Sequence, residues 1–333
     1  YDPLMAAALL SSENQSYGAK LTKFVWILVA CLSWSSVAMA SSSMSLHIEN
    51  RVPRFVAFYH AAVNSRLDER ARWALWQKEY GIAAVPPTAQ GQALARKQLD
   101  AAWPRYASLV PELPTKEIEA VRAARQAYSS VLTLLKAERS AAPVKLLLFV
   151  GQFSGNEFTA PPHAPGDPPL IVMPVETHNI KFALTQEFVH AVQMDIDHLH
   201  NGFAAPLGET VLTVGLAMRA TQALLPGRPT SLYTWRDSDW LARCDAHKRE
   251  ILSGMLPYLA RSDEANTTRF TFGTGTTGLS SEAYCAGWVL VGNLLRHGYT
   301  FRSLARMKER RMAAFAHAAI TAALDARTAN YSK

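Results

Sequence analysis

Two short apolar runs constrain this chain more than any other feature: Val144-Lys-Leu-Leu-Leu-Phe-Val150 after Pro143, and Leu170-Ile-Val-Met173 after Pro169. Both are too short for a stable helix, and an apolar run of this length between turn signals reads as a buried strand. Between them lie Gly151-Gln-Phe-Ser-Gly-Asn-Glu-Phe158 and a proline-rich turn at 161–169. The flanks are helical in rhythm. Phe55, Phe58, Tyr59, Val63, Leu67, Trp73 and Trp76 repeat at helical spacing over 53–80, until Pro86-Pro87 breaks the pattern. Helices are expected over 89–107 and 115–138, the second opened by Pro114-Thr115. Beyond the strands come a helix through 185–193, a loop with Asn201-Gly202, and a helix near 208–224. Further helices are expected from Trp235 to Leu259 and from Ser281 to His297. Helices, a small sheet and helices again make an α+β domain. Its parts are a helical stretch at 53–138, the sheet with two helices at 144–224, and a helical stretch at 230–325.

Residues 1–40 read as a leader and signal peptide outside that domain. Lys20 and Lys23 precede an apolar run from Phe24 to Trp34, and Val37-Ala-Met-Ala40 ends in small-x-small, the layout of a secretory signal cleaved after Ala40. An uncleaved anchor and lipidation at Cys31, in Leu28-Val-Ala-Cys31, are secondary readings, since the run is short for a membrane span. The stretch before Lys20 is long for such a leader, as a misassigned start would make it. The expectation is an exported protein, periplasmic or secreted, with 41–333 as a single domain. The net charge of +7 is dispersed over helices with acids interleaved, and even Lys308-Glu-Arg-Arg311 reads as a solvated helix face. Nucleic acid is therefore not an expected partner, nor is a membrane beyond the targeting segment. Cys244 and Cys285 remain after cleavage, and spacing leaves open whether they pair or stay as buried thiols.

The chemistry-bearing stretch is Thr185-Gln-Glu-Phe-Val-His-Ala-Val-Gln193. Histidine in place of Gln186 would give H-E-x-x-H, which sets two imidazoles one helical turn apart on a shared face, both able to reach one Zn²⁺. Glu187 would then project beside the metal and take a proton from its bound water. Gln186 offers only a neutral amide, a weak zinc donor.

Together with other pieces this helix resembles a bacterial family of predicted Zn-dependent proteases, gluzincin-like domains. The pieces are the Trp/Tyr-rich first helix, Leu147-Leu-Phe-Val-Gly151 with Ser154-Gly-Asn156, and Ile171-Val-Met173. Gly215-Leu-Ala-Met-Arg219, Tyr284-Cys-Ala-Gly287 and His297-Gly-Tyr299 complete the set. The resemblance implies a mostly helical, zincin-like metallopeptidase domain with a small β-sheet packed on the motif helix. It further implies E-G-L-A on the next helix, whose glutamate is the third zinc ligand with water in the fourth position. This chain carries Val214-Gly-Leu-Ala217 there. Of three protein ligands only His190 remains, with Glu187 as candidate base. Tyr284 stands where such a fold supplies an oxyanion donor.

Rescue from the second helix fails. Thr210, Val211, Ala217 and Met218, three or four positions from Val214, carry no carboxylate, and Glu209 lies about 140° round the helix. The other source is Asp195-Ile-Asp197-His198-Leu-His200, an acid and imidazole cluster that a loop could fold back onto His190. A metzincin-type third histidine would instead fall at Ile196. Without metal, Glu187 reads as a residue paired with an arginine or capping a loop. His190 reads as a core histidine bonded to Gln186 or a backbone carbonyl, and Tyr284 as a core tyrosine. Gly273-Thr-Gly-Thr-Thr-Gly278 matches G-x-G-x-x-G, but no βαβ unit surrounds it, so it reads as a flexible Gly/Thr loop near the cleft. No G-x-S-x-G or P-loop is present, and neither remaining cysteine has a nucleophile motif.

The residues and the resemblance together imply an exported, catalytically degenerate relative of zinc metallopeptidases, without cofactor, that keeps a cleft and an edge strand for a peptide or protein segment. The alternative is an active metal-dependent peptidase. Its base would be Glu187, and zinc would be held by His190 and the 195–200 loop.

Overall fold

Four strands, β1 Leu46–Asn50, β2 Val144–Phe149, β3 Phe158–Ala160 and β4 Leu170–Pro174, form one sheet in the order β1-β2-β4-β3. β1, β2 and β4 run parallel, with Leu146 between Ile48 and Ile171, and β3 runs antiparallel along β4 with Thr159 opposite Ile171. The two apolar runs are the central strands, covered on both faces as a continuous apolar run requires. β1 and β3 were not foreseen. One pairs only through a partner nearly a hundred residues distant, and the other has three residues in a Gly/Pro-rich stretch. The structure is a computed structural model. It describes residues 46–328 except 86–87, 138–142, 156, 163–166, 198 and 200–204, so the expected signal segment lies outside the described residues.

The apolar rhythm over 53–80 belongs to two helices, α1 Val52–Asn64 and α2 Glu69–Glu79. The chain turns between them with Arg66 at positive φ, and the Asp68 carboxylate accepts from the Ala71 amide at 2.8 Å, which caps α2 and forbids a continuous helix. α3 Ala89–Leu109 and α4 Leu113–Leu135 follow, and α4 packs its apolar stripe on the motif helix α5 Ile180–Asp197. The C-terminal part comprises α6 Leu207–Leu224, α7 Thr230–Thr234, α8 Ser238–Met255 and α9 Glu264–Thr271. It continues with α10 Glu282–Arg296, α11 Phe301–Ala305 and α12 Glu309–Thr328. The architecture is α+β, mostly helical with a small mixed sheet.

Helices α6 and α10 cross closely at Gly215 and Gly287. A Cβ on Gly215 would stand 2.4 Å from the Gly287 carbonyl oxygen, and one on Gly287 would stand 2.6 Å from that of Val211. Backbones that close admit no side chain at either position. A disulfide between Cys244 and Cys285, with Cα atoms 5.7 Å apart, ties α8 to α10. The question that spacing left open is thereby answered: both sulfurs are engaged. Among the described residues no helix is long and apolar enough to cross a membrane.

Candidate active site

Helix α5 lies against the edge of the sheet, and that contact fixes Glu187. The Thr159 hydroxyl of β3 donates to Glu187 Oε2 at 2.6 Å and also lies 3.1 Å from the Glu187 backbone oxygen. A hydroxyl has one proton, so the shorter, charge-assisted contact takes it. Glu187 keeps part of its surface open while protein surrounds it on most sides, the setting of a narrow cleft wall. Burial pushes its carboxyl up to about 7; the Thr159 bond opposes this and the nearby Glu157 adds to it. His190, at i+3, shares the face of Glu187. Burial pulls its imidazole down to about 4, so it is neutral at neutral pH. It makes no hydrogen bond among the described residues, and the expected bond to Gln186 is absent because that amide is engaged elsewhere.

The facing wall is Tyr284, in the first turn of α10, and Arg236, between α7 and α8. The Arg236 guanidinium lies 4.7 Å from the centre of the Tyr284 ring, and its Nε is buried without a partner among the described residues. Burial raises the Tyr284 phenol; Glu187 and Glu157 raise it further and Arg236 opposes them. Glu157, Glu187 and Arg236 each act electrostatically on Tyr284, so the four side chains lie near one another. Glu157 is itself raised, chiefly by burial, with Glu176 contributing. Glu176 accepts from the amides of Gly151 and Phe153 at 3.0 and 3.3 Å, and the Tyr106 hydroxyl donates to the Gly151 carbonyl at 2.7 Å. The turn after β2 that leads to Glu157 is therefore pinned from both sides. Sequence reading singled out Tyr284 only as what the resemblance implies, an oxyanion donor. It missed Thr159, Glu157 and Arg236, which have no motif and meet only through the fold.

Gln186 is buried and fully engaged. Its Nε2 donates to the Tyr233 carbonyl at 2.6 Å and its Oε1 accepts from the Trp235 indole at 3.1 Å. The carbonyl demands a donor and the indole demands an acceptor, so the amide orientation is fixed. Where the resemblance expects a first zinc ligand, this chain has a clamp that holds the α7 turn against α5. Val214 is half-buried on the neighbouring α6 and offers no donor atom. Asp195 lies five residues beyond His190 on α5. It sits seven residues after Phe188, on the same helix face, and both meet Tyr128 of α4: Phe188 with ring centres 5.4 Å apart, Asp195 by raising the Tyr128 phenol. The Asp197 side chain, His198 and His200 lie outside the described residues. Among the described residues no three His, Cys, Asp or Glu side chains converge. Among the described residues, Glu187 and His190 do not complete the set of three ligands that a zinc ion needs at about 2.0–2.3 Å.

The Gly/Thr loop is not the flexible segment expected from its composition. It wraps the fully buried Glu282 carboxylate, which accepts from the amides of Thr276 and Thr277 at 2.9 and 2.6 Å and from their hydroxyls at 3.1 and 2.7 Å. A Cβ on Gly275 would strike that carboxylate at 2.1 Å, which explains the glycine. The amides that a nucleotide phosphate would need already bind an internal anion. Comparison with known proteins finds no family model, no curated protein and no solved structure that matches this chain.

Proposed function

We propose that this chain is an exported, catalytically degenerate relative of zinc metallopeptidases that holds an extended peptide segment in a cleft between the α5–β3 wall and Tyr284 with Arg236. The observation that carries the reading is the engagement of Gln186, whose two polar atoms clamp Tyr233 and Trp235 instead of facing the cleft beside His190. Three further features support it. β3 is an antiparallel edge strand with no partner on its outer side among the described residues, the arrangement that accepts an added strand through main-chain hydrogen bonds. Arg236, with an unpartnered Nε, and the Tyr284 phenol supply donors across the cleft for a peptide carbonyl or carboxylate. The Cys244–Cys285 disulfide fits an oxidising compartment.

The test combines a peptide library with elemental mass spectrometry of the purified protein. Expected are retention of a subset of extended peptides without cleavage, slowed amide exchange at 158–160 on binding, and zinc well below one ion per chain. Metal-dependent cleavage of any library member would overturn the reading, and so would peptide binding that leaves exchange at β3 unchanged.

A further inference from the structure

A second concavity lies apart from the cleft, between α8, α10 and α12, with a volume of about 990 Å³ and a mouth open to solvent. That size is at the upper end for sites that take small organic ligands. Its walls are apolar: Leu241 and Leu252 from α8, Trp288 and Leu294 from α10, Phe315 and Ala319 from α12. Its polar end is cationic. Trp288, Gly292 and Arg296 follow one another at intervals of four along a single face of α10, and Arg219 reaches across from α6 onto that face. The Arg219 guanidinium stacks 3.4 Å from the Trp288 ring, and Gly292 is what lets it pass, since a Cβ there would stand 2.4 Å from Arg219 Nη2.

Arg219 is held rigidly but incompletely satisfied. Nε and Nη2 donate to the Trp288 carbonyl at 3.0 and 2.8 Å, and Nη1 donates to Gln222 at 2.9 Å. Three of its five N–H groups are used, and no carboxylate pairs with Arg219 or with Arg296 among the described residues. Two unneutralised guanidiniums near one another are a costly arrangement that a bound anion relieves. Burial first, then Arg296, pulls Arg219 down to about 10. Lys248 and Arg249 also line the cavity; Lys248 pairs with Asp245, and Arg249 donates to the Leu324 carbonyl.

We infer that this cavity binds a single-chain amphipathic anion, with its carboxylate or phosphate head on Arg219 and Arg296 and its acyl chain along Trp288, Leu252 and Phe315. Calorimetry with oleate, oleoyl lysophosphatidate and oleyl alcohol, each below its micellar concentration, tests the site. Saturable one-to-one binding of at least one of the two anions is expected, with the alcohol at least about tenfold weaker. The tighter anion identifies the head group. Arg296→Gln, at an exposed position, is expected to weaken the anions about tenfold and leave the alcohol unchanged. Ala319→Phe, which fills the cavity from α12, is expected to abolish binding of all three with Tm unaltered. Absence of saturable anion binding would overturn the assignment. Equal affinity for the alcohol, or full binding by Arg296→Gln, would do the same.

Discussion

Two carboxylates of this molecule are withdrawn from bulk water, and their surroundings are opposite. Glu282 receives four hydrogen bonds from the loop folded round it, two to each oxygen. Glu187 receives one from Thr159 and faces the carboxylate Glu157 as well. In the first case the protein replaces the lost water completely, and the charge becomes an organising centre for the loop. In the second it replaces little of it, and the proton is held to about pH 7. A carboxylate fully solvated by its own chain is structural. One left half-solvated in a cleft is poised to exchange a proton or meet a ligand.

The largest effect should come from the fully solvated site. Glu282→Gln turns one acceptor oxygen into a donor against two existing donors. It is expected to destabilise the protein by about 3 kcal/mol in urea unfolding. A loss below about 1 kcal/mol would break the contrast between the two carboxylates. Next is Gln186→Leu, similar in size but unable to bond, which strands the Tyr233 carbonyl and the Trp235 indole. The expected loss is about 2 kcal/mol, together with a change in tryptophan fluorescence as Trp235 is released. An unchanged spectrum and stability would mean that Gln186 is not a clamp.

The smallest effect concerns Glu187 and is a matter of pH. Its folded value of about 7 lies above the ordinary 4.5, so the native state holds a proton that the unfolded chain has released. Its contribution to stability therefore falls as pH rises from about 4.5 to about 7 and stays low beyond. His190 acts in the other direction. Its folded value of about 4 lies below the ordinary 6.5, so stability falls as pH drops between those values. The two slopes oppose one another over about pH 4.5–6.5 in the native protein. Glu187→Gln removes the first, and is expected to raise stability at pH 8 by on the order of 1–2 kcal/mol with no change at pH 4. The His190 limb is then exposed. Equal stability of the two proteins across that range would show that Glu187 is as well solvated as Glu282.

The fold class and its central strands were legible because buried strands need unbroken apolar runs, and 144–150 and 170–173 carry them. The motif helix was legible because its spacing is helical. β3 was not, since three residues carry no periodicity, and with β3 went Thr159. The role of Gln186 was hidden for a related reason: its partners lie 47 and 49 residues further along the chain. The Gly/Thr loop misled through composition, which gives conformational freedom to the chain but not the carboxylate that removes it.

What the sequence determined by itself is local: the apolar runs, the helical rhythm, and an amide at 186 and an aliphatic side chain at 214. Those follow from nearest-neighbour physics and from the chemistry of single side chains. The tertiary structure alone decided which polar atoms are satisfied. It gave Glu282 four donors and Glu187 one, and laid Arg219 across Gly292 beside Arg296. Hydrogen bonding and desolvation depend on what lies within a few ångströms in space, and in a chain folded this way those neighbours come from elements far apart in sequence.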